Sequence, residues 1–272
     1  MDRRGAIASL FGAPRALVGA IHVGALPGTP GSRSGVEAIV EAAVAEARAY
    51  REAGFGGLIL ENTHDRPYLK RAVGPEVVAA MAAVARELRR EVPLPLGIQV
   101  LAGANREAVA VAHACGARFV RAEGFVFAHV ADEGLIESDA GELLRYRRAI
   151  GAGDVRVFAD VKKKHSAHAL TADVDLAETA RAAEFFLADG VIVTGVSTGR
   201  PADPAEVDAV SEAVDIPTLV GSGITAENLR QFARADAFIV GSSLKKDGLW
   251  SNPLEPARAE ALARAFAKLP AR

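Results

Sequence analysis

Short apolar runs rich in Val, Ile, Leu and Phe alternate along the chain with longer stretches of helical period. Runs at 17–21, 57–60, 96–101, 118–122, 155–161, 191–194, 217–220 and 237–240 predict eight strands. They are apolar throughout instead of alternating with polar residues, the pattern of parallel strands covered on both faces. Helices are predicted between them at about 36–53, 75–91, 107–115, 140–150, 174–187, 203 onward, 226–232 and 256–269. In the first, Val36, Ile39, Val40, Ala43, Val44 and Ala47 keep the helical spacing, and Ser34-Gly35-Val36-Glu37 reads as a capping box. Asp203 and Pro204 supply an N-cap and a proline at the first helical position. Helix eight is expected to turn Leu262 and Phe266 inward.

This repetition predicts one α/β domain over residues 1–272, a closed (β/α)8 barrel with its core at about 16–269. An open doubly wound sheet is the alternative, but it places a glycine fingerprint after the first strand, and no G-x-G-x-x-G stands there. Two long segments, 123–137 and 161–173, follow strands and so lie on the face where such barrels build active sites. The first has apolar anchors at Phe125, Phe127, Leu135 and Ile136 and a hinge at Gly134. It reads as a lid that excludes water, or as an irregular extension packed on the rim.

The stretch 217–248 carries two glycine turns in succession, Gly221-Ser222-Gly223 and Gly241-Ser242, each ending a strand. Thr225 stands as an N-cap to the helix between them. Adjacent backbone N–H groups near a helix start suit a phosphate dianion, and the loops after strands seven and eight of a barrel commonly form such a site. Gly195 and Thr198, after strand six, are placed to complete it. The plainer alternative is that these glycines only permit tight turns.

Polar side chains mark the strand ends: His22, Glu61, Asn62, Gln99, Arg121, Glu123, Asp160, Lys162, His165 and Thr194. Alternate residues of a strand share a face, so Arg121 is expected beside Glu123, and Asp160 beside Lys162. An unpaired buried charge is costly, so these groups either pair to close the barrel top or form a reaction centre. On the second reading Glu61 or Asp160 is the general base, and Lys162 stabilises developing negative charge or, with a depressed pKa, forms a Schiff base; Asp160 on the same face favours the first role. His22 and His165 are further catalytic candidates, with Asn62, Gln99, Arg121, Glu123 and Thr194 as the surrounding shell. The carboxylates of Glu61, Glu123 and Asp160 also offer hard oxygen ligands to Mg2+ or Mn2+, although no compact metal motif demands an ion.

A hydrophobic fraction of 50%, a charged fraction of 24% and a net charge of −2 describe an ordinary globular α/β chain. They give no broad basic field for a nucleic acid polymer. The single Cys115 rules out an intramolecular disulfide. No run of 18 apolar residues predicts a spanning helix, and the apolar part of MDRRGAIASLFG is short for a signal peptide. These features predict a cytoplasmic protein that takes a small phosphorylated ligand and assembles as a homo-oligomer.

Several segments, in order, resemble the BtpA/SgcQ family from about residue 16 to 269: GAIHVGALPGTPGS (19–32), LENTHDRPY (60–68), VGPEVVAAM (73–81), GLIESDAGELLRYR (134–147), ADVKKKH (159–165), VTGVSTGRP (193–201), LVGSGITAENL (219–229) and FIVGSSLKKDG (238–248). The resemblance implies a barrel similar to those that bind ribulose phosphate. It implies either an enzyme of sugar metabolism or a non-catalytic, membrane-peripheral factor for photosystem I biogenesis; the glycine loops and strand-end acid–base residues themselves fit isomerase, epimerase or aldolase chemistry on a small phosphorylated sugar or nucleotide-like substrate. The chain departs from the family at Gln99, where an Asn is usual, and at Arg121-Ala122-Glu123, where the family reads Arg-Val-Asn. Its loop 127–133 also lacks the family's small-residue and Thr-Asp-Gln pattern. Glu123 puts a negative charge in place of an amide, which alters the expected substrate and favours a cation.

Overall fold

The computed structural model describes residues 2–195 and 201–270. Among them eight parallel strands close into a barrel: β1 (Ala16–His22), β2 (Gly57–Glu61), β3 (Leu96–Gln99), β4 (Phe119–Ala122), β7 (Arg156–Asp160), β9 (Gly190–Thr194), β10 (Thr218–Gly221) and β11 (Ala237–Val240). Closure is through β1, which pairs with β2 on one side and β11 on the other, Val18 facing Gly57 and Ile239. Outside lie α2 (Val36–Ala53), α3 (Pro75–Glu91), α4 (Asn105–Cys115), α5 (Ala140–Ala149), α6 (Leu176–Phe185), α7 (Pro204–Ala213) and α8 (Pro256–Ala267).

Burial divides the apolar residues into two clusters. The larger lies between strands and helices and includes Leu60, Met81, Val109, Val157, Val210 and Leu262. The smaller fills the barrel interior with Val18, Ile59, Phe119, Phe158, Ile192, Leu219 and Ile239. Its rings pack on one another, Phe119 meeting Phe11 edge to face at 5.7 Å and Phe158 at a tilt at 5.5 Å. Such contacts add to plain area burial. Phe11 belongs to α1 (Arg3–Phe11), which inserts Ile7 and Leu10 into this interior cluster. The barrel is thus filled from its N-terminal end, and polar groups are left to the opposite end. Gly19 is required in β1 because the Tyr50 ring of α2 lies where a Cβ would stand, at 2.6 Å.

Several local expectations change. The capping box at Ser34 does not form; Gly35 is the N-cap of α2 and no side chain bonds it. Asp203 does cap α7, its Oδ1 accepting from the N–H of Ala205, with Pro204 first in the helix. The helix expected at 226–232 shrinks to a four-residue 3-10 turn, Leu229–Phe232. Thr225 Oγ1 accepts from Asn228 N–H while Asn228 Oδ1 accepts from Thr225 N–H. That reciprocal pair gives the backbone a local alternative to the helical ladder. Leu262 is buried, and Phe266 meets Phe238 edge to face at 6.0 Å, as the pattern of α8 predicts.

The two long segments form one small antiparallel sheet above the barrel. Hairpin β5 (His129–Ala131) and β6 (Gly134–Ile136) comes from the first, and β8 (Ser166–Ala167) from the second. Gly134 turns the hairpin at φ 101°. Of the four expected anchors, Phe125 and Ile136 are buried, whereas Phe127 and Leu135 are exposed. Alternation along β6 accounts for Leu135 and Ile136, whereas Phe125 and Phe127 precede the hairpin and Phe127 has a left-handed φ of 59°.

Candidate active site

At the C-terminal end of the barrel the strands deliver ionisable groups into a cavity of about 110 Å³. Arg121, on β4, is the centre. Its Nε donates to both carboxylate oxygens of Asp160 at 3.1 and 3.0 Å, and its Nη1 lies 3.3 Å from Glu61 Oε1. All three are buried. Burial pushes the Asp160 carboxyl up to about 6 against the opposing pull of Arg121. Glu123, just past β4, accepts from Gln99 Nε2 at 3.2 Å and pairs with Lys163 Nζ at 3.2 Å. Lys163 also reaches Glu133, in the turn of the β5–β6 hairpin, at 3.3 Å. Burial works against the Lys163 charge, but Glu123 and Glu133 together hold its pKa above the ordinary value.

His22 completes the wall. Its Nδ1 lies 2.7 Å from the Trp250 carbonyl, and a carbonyl only accepts, so Nδ1 carries the proton and Nε2 is a free lone pair. Burial, then the nearby Lys245 charge, lower its pKa to about 3, so the ring is neutral. Lys245 is itself buried and paired with Glu46.

Glu61, Arg121, Glu123, Asp160, Gln99, His22, His165 and Ser242 all border this mouth. Lys162 does not. Strand β7 ends at Asp160, so the alternation that placed Lys162 on the same face stops there. Its Nζ turns to Glu206 at 2.9 Å, in a neighbouring chamber. The lysines at the mouth are Lys163, paired as above, and Lys164. Burial first, and Arg121 second, lower the pKa of Lys164, with Glu61, Asp160 and Glu123 opposing. The run Lys162-Lys163-Lys164 announced a basic loop in the sequence, but only the end of β7 decides which member faces inward. Tyr68, Glu133 and Lys163 also border the mouth and were missed, because they lie in loops outside the strand pattern.

Two shell candidates are structural. Asn62 donates to Asp65 Oδ2 and accepts from Leu101 N–H, tying two loops together. Thr194 Oγ1 donates to the Lys162 carbonyl at 2.7 Å and fixes the start of the β7 loop. Glu61, Glu123 and Asp160 do not converge on a common point for Mg2+ or Mn2+. Among the described residues no three His, Cys, Asp or Glu side chains gather as a metal site, because these carboxylates face Arg121 and Lys163 instead.

The two glycine turns stand side by side. Ser243 Oγ donates to the Ile224 carbonyl at 2.5 Å, and Asn228 Nδ2 to the Gly223 carbonyl at 2.8 Å. Ser222 and Gly223 both have left-handed φ, at 80° and 64°. A Cβ on Gly241 would lie 2.8 Å from His22 Nε2, so the glycine keeps the wall beside His22 open. Gly195 is buried directly after β9. Thr198 lies outside the described residues.

A closed parallel barrel with its charged groups and glycine turns gathered at the C-terminal end has the architecture of the (β/α)8 enzymes. Solved structures of similar fold include thiamine phosphate pyrophosphorylase from Pyrococcus furiosus, with TM-score 0.58 and 16% identity over 94% of this chain and 97% of that one. Orotidine 5′-phosphate decarboxylase from Pyrococcus horikoshii gives TM-score 0.58 and 14% identity over 92% and 99%. A model of the BtpA family matches residues 13–268, and the chain belongs to that family. Among its relatives, an uncharacterised mitochondrial protein of Caenorhabditis elegans is 47% identical, over 95% of each chain. The photosystem I biogenesis protein BtpA of Synechocystis is 36% identical, over 93% of this chain and 88% of its own. No helix among the described residues is long and apolar enough to cross a membrane.

Proposed function

We propose that this barrel is an enzyme that acts on a small phosphorylated sugar or nucleotide-like substrate, by isomerase, epimerase or aldolase-type chemistry. The observation that carries the reading is the buried Glu61–Arg121–Asp160 group facing a cavity that Lys164 and His22 also border. Burying ion pairs is weak support for stability, and apolar residues would close the barrel top at less cost. The phosphate is placed against the N–H groups of Gly221, Ser222, Gly223, Gly241 and Ser242, with Gly195 and Thr198 beside them. Anchored there, the substrate presents its carbons to the acid–base groups. Asp160, poised near 6 by its burial, exchanges the proton. Arg121 stays charged and stabilises an enolate-like oxygen, and Lys164 either assists it or, when neutral, adds to a carbonyl.

The test is isothermal titration of the chain with inorganic phosphate and ribose 5-phosphate, repeated on Gly223→Val and Gly241→Val. Both ligands are expected to bind the parent and neither variant. Unchanged affinity in two folded variants would remove the phosphate site. A second reading, a non-catalytic factor in photosystem or membrane-complex biogenesis, draws on one feature. Phe185, Phe186 and Leu187 at the end of α6 are 82%, 49% and 71% exposed, an apolar surface of the kind that docks partners. Under that reading Asp160→Asn leaves all function intact.

A further inference from the structure

Three lysines follow β7, and their surroundings differ. Lys162 pairs with Glu206 outside the mouth, and Lys163 pairs with Glu123 and Glu133. Lys164 borders the mouth and makes no ion pair among the described residues. Carboxylates stand near it, but they are already engaged. Both oxygens of Asp160 accept from Arg121 Nε, and Glu61 Oε1 lies 3.3 Å from Arg121 Nη1. Glu123 Oε1 accepts from Gln99, and its Oε2 lies 3.2 Å from Lys163 Nζ. Other donors thus hold the groups that would keep Lys164 charged, and the guanidinium adds a like charge of its own. Desolvation first, and that charge second, push the amine toward its neutral form. Lys164 is not wholly enclosed, so a ligand in the mouth can reach it.

A lysine desolvated beside another cation is an activated nucleophile toward a carbonyl carbon. Electrostatic stabilisation does not call for a second cation of this kind, because Arg121 supplies a permanent positive charge. The mouth holds about 110 Å³, well under the roughly 300–1,000 Å³ of a pocket for a drug-sized ligand. It suits the reacting end of a small open-chain compound.

We propose that Lys164 is a Schiff-base nucleophile and that the substrate is a phosphorylated aldose or ketose with a free carbonyl. The proposal rests on the phosphate reading above and narrows it, because nucleotides and glycosides have a locked anomeric carbon and are excluded as covalent substrates. In the first step the Nζ lone pair bonds to the carbonyl carbon. The carbonyl π pair passes to oxygen, which takes a proton from Nζ. In the second step the Asp160 carboxyl protonates that hydroxyl, and water leaves with the C–O pair. The nitrogen lone pair then forms the C=N bond of a cationic iminium. Asp160, now ionised, removes a proton from the neighbouring carbon, and the released pair moves toward nitrogen to give a neutral enamine. No oxidant, reductant or further reactant is consumed.

The experiment is borohydride reduction of the full chain with ribose 5-phosphate, dihydroxyacetone phosphate, phosphate-free dihydroxyacetone or adenosine 5′-monophosphate, followed by peptide mass spectrometry. Isothermal titration of the two sugar phosphates runs beside it. At least one sugar phosphate is expected to label Lys164 about tenfold or more above the exposed Lys246 and Lys268. Dihydroxyacetone should label it at least about tenfold less, and adenosine 5′-monophosphate not at all. Lys164→Arg keeps the charge and should lose the adduct, whereas Lys162→Arg should retain it; circular dichroism checks that both fold. Equal labelling of Lys164 with and without the phosphate removes the phosphate reading and leaves the nucleophile standing. A sugar phosphate that binds by titration without labelling Lys164 above the exposed lysines overturns the nucleophile and leaves the phosphate site standing. An adduct on Lys163, or one that persists in a folded Lys164→Arg, overturns it as well. Neither binding nor labelling by any sugar overturns both.

Discussion

Replacing Arg121 by Met removes the cation that holds two buried carboxylates and keeps most of its volume. Asp160 loses both of its bonds from Nε, and Glu61 loses its neighbour at 3.3 Å. The side chains are 5% exposed for Arg121, 10% for Glu61 and 2% for Asp160, so water cannot take the place of the guanidinium. Breaking a buried pair from one side costs about 3–5 kcal/mol. For a domain of this size class, each kcal/mol moves Tm by about 2–4 °C, which gives a drop on the order of 6–20 °C near pH 8. The pH dependence follows from Asp160. Its folded pKa, about 6, lies above the ordinary aspartate value of 3.8. Its contribution to stability is therefore greatest below pH 4 and is lost as pH rises through 6. Without Arg121 the folded value rises further, so acidification to pH 5 protonates Asp160 and recovers part of the deficit. Denaturant and thermal unfolding at pH 5 and pH 8 measure both effects. A loss under about 1 kcal/mol at pH 8, or an equal loss at both pH values, refutes the ion-pair account.

Lys162→Ala is expected to cost less than about 1 kcal/mol, because its partner Glu206 is part-exposed, whereas Lys245→Met should cost about 3 kcal/mol by leaving the part-buried Glu46 without its cation; urea melts compare the two. Competitive acetylation at pH 8, read by mass spectrometry, should modify Lys164 faster than Lys163, since burial and Arg121 lower the first while Glu123 and Glu133 raise the second. Ile7→Ala should destabilise by about 2–5 kcal/mol, since Ile7 is fully buried in the barrel interior, and urea titration checks it. Gly19→Ala should destabilise by about 1–3 kcal/mol through overpacking on Tyr50, again read from a urea melt.

The barrel was legible because its strands are covered on both faces and its helices carry wide apolar stripes, signals that survive without knowledge of the neighbours. Helix α1 was not, because Ile7, Leu10 and Phe11 make too short a pattern and gain meaning only against Phe119. Strands β5, β6 and β8 are three residues or fewer, below any useful period. In the site, Glu61, Asp160, Arg121 and Glu123 could be read from strand ends, because a charge following an apolar run has few structural uses. The choice among Lys162, Lys163 and Lys164 could not, because it depends on the chain bending after Asp160. The sequence also offered two functions for one charged ring, pairing and catalysis, and the structure shows the pairing directly.

The most direct measurement of the central claim is a crystal structure of the chain with ribose 5-phosphate. The account predicts the phosphate between Gly221–Gly223 and Gly241–Ser242, with the first sugar carbons within hydrogen-bonding reach of Asp160 and Lys164. A phosphate seated outside the barrel mouth, or a mouth left empty at saturating ligand, would contradict it.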